Sequence, residues 1–527
     1  MSKVRNILFI MCDQLRWDYL SCYGHPSLKT PNIDALARKG VRFTKAYVQS
    51  PTCGPSRMSV YTGRYVSSHR SYGNYVPLPV DEMTWGDYLK PKGMQVAVVG
   101  KTHVEPNYTE LKRLGIPPES ERGRFLLAGG FHEIDRHDGV LADPNSEEAV
   151  TNAYSRFLRE QGYEGDNLWL DQANSAAGDN GEVLNGWQMR YANLPARVKE
   201  EHSETAYTTT RAIEFIESRG EDPWCLHLSY IKPHWPYVAP APYHDMYTAS
   251  DVIDVVRHPD EKRNPHPLYA SYMQHMASRE FSRDQVRDTV IPVYMGLVKQ
   301  IDDHLGRLFA FLEKAGRMED TMIIFTSDHG DYLGDHWLGE KELYHEAANR
   351  IPLIIYNPDE RWDRTRDTVC DSFVEAIDIL PTILDTLNVQ VTDERLEGHS
   401  LLPLLEGTTP EDWRDRVHWE FDYSFRGITR EDLGRQPHQC STFVIRTDRW
   451  KYVHVEGFPP ILFDLETDPN EFHDLGRDPA YKPVCDEFLA ELLQWKIARK
   501  TRTTASADFV RSFLDDPRFN KMAIGQW

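Results

Sequence analysis

Four short apolar runs in this chain each end on residues that can bind an ion or move a proton. Asn6–Met11 leads into Asp13 and Gln14, Gln95–Val99 into Lys101 and His103, Cys225–Tyr230 into Lys232 and His234, and Met322–Thr326 into Asp328 and His329. Lysines stabilise anionic charge, histidines carry protons near neutrality, and carboxylates do either job or cap a helix. Any one such residue after a strand is ordinarily a solvent-facing polar group. Four sets matter together, because the carboxyl ends of the strands in an open α/β sheet face one crevice.

A fifth segment, Cys53-Gly54-Pro55-Ser56-Arg57, is continued by Thr62-Gly63-Arg64. Pro55 suits the first turn of a helix and Gly63 its C-terminal end. Cys53 is then expected just ahead of a helix N-terminus, where free N–H groups favour an anion. Arg57, one turn on, can lean back toward it. A lone cysteine is most often buried and inert. Cys-x-Pro-Ser-Arg, however, arises by chance with odds of roughly one in several hundred over such a length, which favours a functional reading.

The elements that must position these residues follow from pattern. A length of 527 residues suits one large domain and a smaller one. Over the first ~380 residues β-rich runs alternate with helical patterns, which predicts an α/β fold with a large, mostly parallel sheet sandwiched by helices. Val290, Val293, Leu297, Ile301, Leu305, Leu308 and Leu312, three or four apart, predict a helix that Gly316 closes. Residues 105–200 are polar and weakly periodic and are expected as insertions over the active face. Past Pro403-Leu404-Leu405-Glu406-Gly407 the pattern changes. Thr442–Thr447 and Trp450–His454 predict a small antiparallel sheet, with Val484–Ile497 as a helix against it. The expected organisation is a catalytic α/β domain over 1–405 and a smaller C-terminal α+β domain over 406–527. Its tail, with Phe509, Phe513, Phe519 and Trp527, is suited to pack on its own subunit or a neighbour, and a homo-oligomer is expected.

The net charge of −21 argues against a general nucleic-acid binder, yet allows a locally positive pocket for a small anionic substrate. No run has the length of a membrane span. The apolar stretch Ile7–Met11 is short and soon meets a carboxylate, so it reads as a buried strand rather than part of a signal peptide. Seven scattered cysteines without a Cys-x-x-Cys fit a reducing compartment, and a cytoplasmic protein is expected.

The Cys53–Arg57 segment resembles the maturation signature of type I sulfatases, formylglycine-dependent enzymes of the alkaline phosphatase superfamily. The resemblance runs over most of the chain and is close to the arylsulfatase and phosphonate monoester hydrolase subgroup. Ser327-Asp328-His329-Gly330 with Lys341 resembles the second metal motif and its following lysine. Gly100-Lys101-Thr102-His103 resembles the family's Lys-x-His, and Pro233-His234-Trp235-Pro236 its Pro-His-x-Pro. Leu462-Phe463-Asp464-Leu465 with Asp468-Pro469-Asn470-Glu471 resembles the C-terminal signature. Asn74, in Gly73-Asn74-Tyr75-Val76-Pro77, lies in a stretch similar to one that contacts substrate in the subgroup. His345-Glu346-Ala347-Ala348-Asn349 lacks the second histidine of a zinc-protease helix.

The resemblance implies an alkaline phosphatase-like fold and one divalent cation held by Asp13, Gln14, Asp328 and His329. Oxygen ligands suit Ca²⁺ or Mg²⁺, and the imidazole moves the balance toward Mn²⁺. It implies that a dedicated maturation enzyme, a transient partner, oxidises Cys53 to formylglycine, whose hydrate is the nucleophile. Arg57, Lys101 and Lys341 would stabilise charge on the transferring group, His103 would act as base, and His234, with Lys341, as acid for the leaving oxygen. Two departures bear on substrate. Asp13-Gln14 and His329 are as in phosphonate monoester hydrolases and several cytoplasmic sulfatases, yet those phosphonate enzymes tend to carry Tyr and Thr where this chain has Lys101 and His103. The expected activity is hydrolysis of sulfate monoesters, of arylsulfatase type, with side activity on phosphonate monoesters and phosphodiesters. The alternative is a phosphonate monoester hydrolase or phosphodiesterase using the same site. A two-metal phosphatase or mutase would want a Ser or Thr nucleophile, and a non-catalytic binding protein would have no use for an oxidisable Cys53.

Overall fold

The computed structural model describes residues 3–139, 152–391, 394–501, 503 and 507–512. Phe513, Phe519 and Trp527 lie outside them, while Phe509 is exposed on a short helix, Ala507–Ser512. In chain order the strands are β1 (Asn6–Asp13), β2 (Val41–Tyr47), β3 (Gln95–Gly100), β4 (His132–Arg136), β5 (Ser175–Ala177), β6 (Val183–Asn185), β7 (Trp224–Pro233), β8 (Thr321–Ser327), β9 (Arg350–Tyr356), β10 (Thr368–Glu375), β11 (Arg416–Asp422), β12 (Ser441–Thr447), β13 (Trp450–Val455) and β14 (Ile461–Asp464).

Eight of them form the main sheet in the order β10-β2-β9-β8-β1-β7-β3-β4. All neighbours pair in parallel except β9, which runs antiparallel to both β2 and β8. The four strands legible as apolar runs sit side by side at its centre, as β8-β1-β7-β3. Their register brings the carboxyl ends level: Cys12 lies opposite Ser327, Asp13 opposite Pro233, and Gly100 opposite Ser229. Every residue of β1 is buried, as helices on both faces require.

Side-chain alternation along β1 divides the interior into two layers. Leu8 and Ile10 pack with helix α1 (Pro31–Lys39), helix α3 (Glu204–Arg219) and helix α4 (Asp284–Lys314), whereas Ile7, Phe9 and Met11 face helix α2 (Cys53–Thr62) and helix α5 (Ile379–Thr386). Helix α4 buries Val290, Val293, Leu297, Ile301, Leu305, Leu308 and Leu312, the stripe its spacing predicts. Gly316, just past its end, has φ 68 and donates to the Glu313 carbonyl at 3.1 Å.

Residues 105–200 are not all insertion. Strand β4 joins the sheet beside β3, and its first three residues are exposed, so an edge position with a polar sequence left no apolar run to reveal it. Strands β5 and β6 make a separate ribbon.

The smaller C-terminal domain is the antiparallel sheet β11-β12-β13-β14 with helix α6 (Lys482–Ile497) on one face. Cys485, Phe488 and Leu492 of α6 pack on Ile445, Tyr452 and Leu462. The other face, with Trp419, Val444, Val453 and Phe463, packs on Tyr47, Leu343 and Tyr344. At this junction the buried Lys451 ammonium meets Glu346 at 2.9 Å, Glu471 at 2.5 Å and the Tyr344 carbonyl at 3.2 Å. Among the described residues no helix is long and apolar enough to cross a membrane.

Candidate active site

Helix α2 begins at Cys53 itself, one residue earlier than the spacing suggested. Pro55 lies in its first turn, and Gly63, at φ 66, closes it by donating to the Ser59 carbonyl at 2.9 Å. The Ser56 hydroxyl donates to the Asp328 carbonyl at 2.6 Å, which ties the helix start to the end of β8. Asn74 sits beside it, its amide oxygen accepting the Gly54 N–H at 2.9 Å.

Cys53 Sγ lies 2.9 Å from Lys341 Nζ, 3.1 Å from His329 Nε2 and 3.7 Å from Asp13 Oδ1. Arg57, wholly buried, donates to Asp13 Oδ2 at 3.1 Å, Asp328 Oδ2 at 2.8 Å, the Lys101 carbonyl at 3.0 Å and the Ser229 hydroxyl at 2.8 Å. Lys101 Nζ joins it on Asp13 Oδ2 at 2.7 Å. With both Oδ2 atoms so engaged, the two Oδ1 atoms face His329 Nε2, each at 3.7 Å. His329 Nδ1 is 2.8 Å from the Gly330 carbonyl, so the ring proton belongs on Nδ1 and a lone pair on Nε2. Asp13, Cys53, Asp328 and His329 thus offer ligand atoms that lie within 4.8 Å of one another, a donor set that fits one divalent cation.

Gln14 borders the same space. Its backbone, at φ 65, donates its N–H to Asp328 Oδ1 at 3.0 Å. Its side-chain N–H₂ donates to Asp331 and, at 3.4 Å, to the Tyr237 hydroxyl, which fixes Oε1 as the atom 3.4 Å from Lys341 Nζ. Tyr237 also donates to Asp331 at 2.6 Å. Neither Asp331 nor Tyr237 stands out in the sequence, since each acts on the site through another side chain.

His234 Nε2 accepts from Lys341 Nζ at 3.1 Å, and Nδ1 is 2.7 Å from the Trp235 carbonyl. Lys232, on the same strand end, turns away, donating to Asn174 Oδ1 at 2.6 Å and the Pro236 carbonyl at 3.0 Å. His103 adds to the lowering of the Cys53 thiol. Its backbone N–H and that of Thr102 are both held by Asp138 Oδ1, at 2.9 and 2.7 Å, and its Nδ1 is buried without a hydrogen-bond partner among the described residues.

Three buried cations, Arg57, Lys101 and Lys341, therefore meet two carboxylates, Asp13 and Asp328, inside a protein of net charge −21. Burial alone would push the Cys53 thiol up, but the Lys341 and Lys101 ammonium groups outweigh it and hold the thiol well below its ordinary value. Asp13 is likewise buried beside Cys53, yet Lys101, His234 and Arg57 keep it below the usual carboxylate range. Burial and the charge of Asp13 push Asp328 up, a repulsion that a cation between the two would relieve. Burial and Lys341 push His234 down to about 4, so it is neutral near pH 7.

Glu261, His336 and His345 form a second buried group with metal-type atoms close together. Its two imidazoles are face-stacked, centroids 3.9 Å apart and planes at 14°, so their in-plane lone pairs do not converge on one ion. Glu261 and His336 are instead bonded to each other at 2.7 Å.

The profile of the family described as Sulfatase matches residues 5–389, and that described as N-sulphoglucosamine sulphohydrolase, C-terminal, matches residues 334–498. The chain is 34% identical over 523 residues to the multifunctional alkaline phosphatase superfamily protein PehA of Trinickia caryophylli, over 95% of this chain and 96% of that one. It is 29% identical to an arylsulfatase of Clostridium perfringens, over 93% of each chain. Among solved structures, the phosphonate monoester hydrolase SpPMH from Silicibacter pomeroyi has a TM-score of 0.81 at 28% identity, covering 94% of this chain and 96% of that one.

Proposed function

The chain belongs to the sulfatase family of the alkaline phosphatase superfamily and is a sulfuric ester hydrolase; on that premise we propose that it cleaves aryl sulfate monoesters through a formylglycine made from Cys53. Side activity on phosphonate monoesters and phosphodiesters belongs to the same proposal. The observation that carries it is the convergence of Lys341, His329 and Asp13 on one buried cysteine.

Asp13, Gln14, Asp328 and His329 would hold a divalent cation, Ca²⁺ or Mn²⁺, which when bound polarises the ester and favours an ionised nucleophile. Oxidised by a maturation enzyme and hydrated, residue 53 offers one hydroxyl for attack and a second whose deprotonation releases the anion. Arg57 holds the two carboxylates at fixed spacing. Arg57, Lys101 and Lys341 stabilise the charge on the transferring group. His234 and Lys341 serve the leaving oxygen: His234 accepts from Lys341 through Nε2, so the lysine carries the proton toward that oxygen and the histidine orients it. His103, beside residue 53, takes the proton of the second hydroxyl. A cytoplasmic location belongs to the same proposal, from seven scattered cysteines without a Cys-x-x-Cys.

The choice of ester turns on Lys101 and His103. Sulfate monoesters, phosphonate monoesters and phosphodiesters all carry one negative charge, so size and donor placement must discriminate among them. A cation and a second donor suit a third sulfate oxygen better than a carbon substituent. A phosphonate monoester hydrolase is the second reading, favoured by the likeness to the Silicibacter pomeroyi enzyme.

Peptide mass spectrometry of the Cys53 segment, with parallel kinetics on aryl sulfate and aryl phosphonate, tests both. Formylglycine at residue 53 and a higher kcat/KM on sulfate are expected. Cys53→Ala is expected to lose nearly all turnover while staying folded. Replacing Lys101 by Tyr and His103 by Thr is expected to move the sulfate-to-phosphonate ratio by well over tenfold, since a charge-assisted contact contributes roughly 2–4 kcal/mol in the transition state. Full activity of Cys53→Ala sinks the whole reading; a parent enzyme that prefers phosphonate gives the site to the second.

A further inference from the structure

A groove of about 720 Å³ counts Trp235 and Glu340, the chain neighbours of His234 and Lys341, among its lining residues. Its wall starts at Trp235, whose ring centroid is 4.1 Å from that of His234 and 5.8 Å from Lys341 Nζ. Trp187, from the segment after β6, lies against it, centroids 4.9 Å apart and planes at 57°. Met189, Met276 and Phe281 continue the lining. Trp187 is 42% exposed and Met276 81%, so large apolar surface faces water at the mouth. The acidic groups there already have partners, Glu280 with Arg283 and Glu340 with Arg426. The donors of Arg190 go to the neutral Gln188, which leaves the groove without an excess of negative charge.

We infer that this groove takes the alcohol half of the ester, and that the alcohol is a neutral aromatic of more than one ring. The inference rests on the reading of Cys53 as the ester-cleaving centre. In-line displacement sends the leaving oxygen away from the nucleophile, toward the groups that protonate it, and Trp235 is the residue next to His234. Whatever is bonded to that oxygen enters along the two tryptophans. Indole faces and thioethers present polarisable apolar surface that suits a flat ring better than a hydrated chain. A cationic alcohol would meet Lys341 and Arg190 with no free carboxylate to offset them. The volume lies within the range of small-molecule sites and exceeds what a single ring fills.

The test uses the intact, metal-loaded enzyme, with phenyl and 2-naphthyl esters of the same acid, whose alcohols are of similar acidity. Binding of free 2-naphthol is followed in parallel by tryptophan fluorescence. The naphthyl ester is expected to have the higher kcat/KM. Trp187→Ala is expected to lower it about tenfold on naphthyl and less than about threefold on phenyl, and to weaken 2-naphthol binding to the same degree. Met276→Ala is expected to act in the same direction more weakly. Equal losses on both esters, unchanged naphthol binding in Trp187→Ala, or a preference for choline or alkyl esters overturns the inference. Naphthol binding that depends on Trp187 in an enzyme that cleaves no sulfate or phosphonate ester keeps the groove and sinks the function proposed for Cys53, so the two failures are distinct.

Discussion

Each of the residues around Cys53 has an atom for the site and an atom for its support. His329 directs Nδ1 to the Gly330 carbonyl and Nε2 inward; Asp13 and Asp328 give Oδ2 to Arg57 and keep Oδ1 facing the imidazole. His329→Asn exchanges a nitrogen ligand for an amide oxygen, so bound metal, measured by elemental analysis after dialysis against mixed ions, is expected to move from Mn²⁺ toward Ca²⁺. An unchanged metal ratio would count against a ligand role for that ring. The residues that end apolar runs were legible in the sequence because burial marks a strand and a charged residue marks its exit. Asp331 and Tyr237 were not, because they reach the site only through Gln14, hundreds of positions away in the chain. Lys232 misled for a related reason: it ends the same strand as His234 but turns to Asn174.

At the scale of elements, the central strands β8, β1, β7 and β3 were readable as continuous apolar runs, and helix α4 as a stripe. Strand β9 could be read as apolar, but not as antiparallel, since direction is set by the chain's path and not by composition. The polar edge strand β4 gave no signal. One junction between strands is tight enough to test. Gly100, which ends β3 just before Lys101, has φ 101, and a Cβ there would lie 1.9 Å from the Ser229 carbonyl oxygen on β7. Gly100→Ala is expected to force β3 and β7 apart, lowering stability by about 3 kcal/mol or more and displacing Lys101 and His103. Urea denaturation read beside kcat checks this, and a variant of parental stability would show that the strands yield freely.

Over the whole molecule, the interior holds histidines that are not part of the cysteine centre. His69 and His227 are fully buried. Burial, with Arg64 near the first and Arg57 near the second, pushes both down to about 3. Below about pH 6.5 the unfolded chain takes up protons that the folded chain refuses, so stability is expected to fall as pH drops from there toward 3. Each histidine contributes about 2 kcal/mol of that loss by pH 5. Urea midpoints between pH 7.5 and pH 5 measure it, and a flat profile over that interval would mean that the two rings charge within the fold. The loss is distributed through the core, so it is expected also in a Cys53→Ala protein, where a purely catalytic origin would be absent.

All ten residues of helix α2 are buried, and Cys53 is 1% exposed. On the proposed reading this imposes an order in time. An enzyme that oxidises residue 53 must seat the peptide around it, and the finished protein offers nothing to seat. Oxidation therefore has to win a race against the closing of the fold. A molecule that folds first remains a thiol for its lifetime, intact by every structural measure and unable to turn over. Activity per milligram then becomes a record of how the chain was made, and slowing its folding raises that figure without altering one residue.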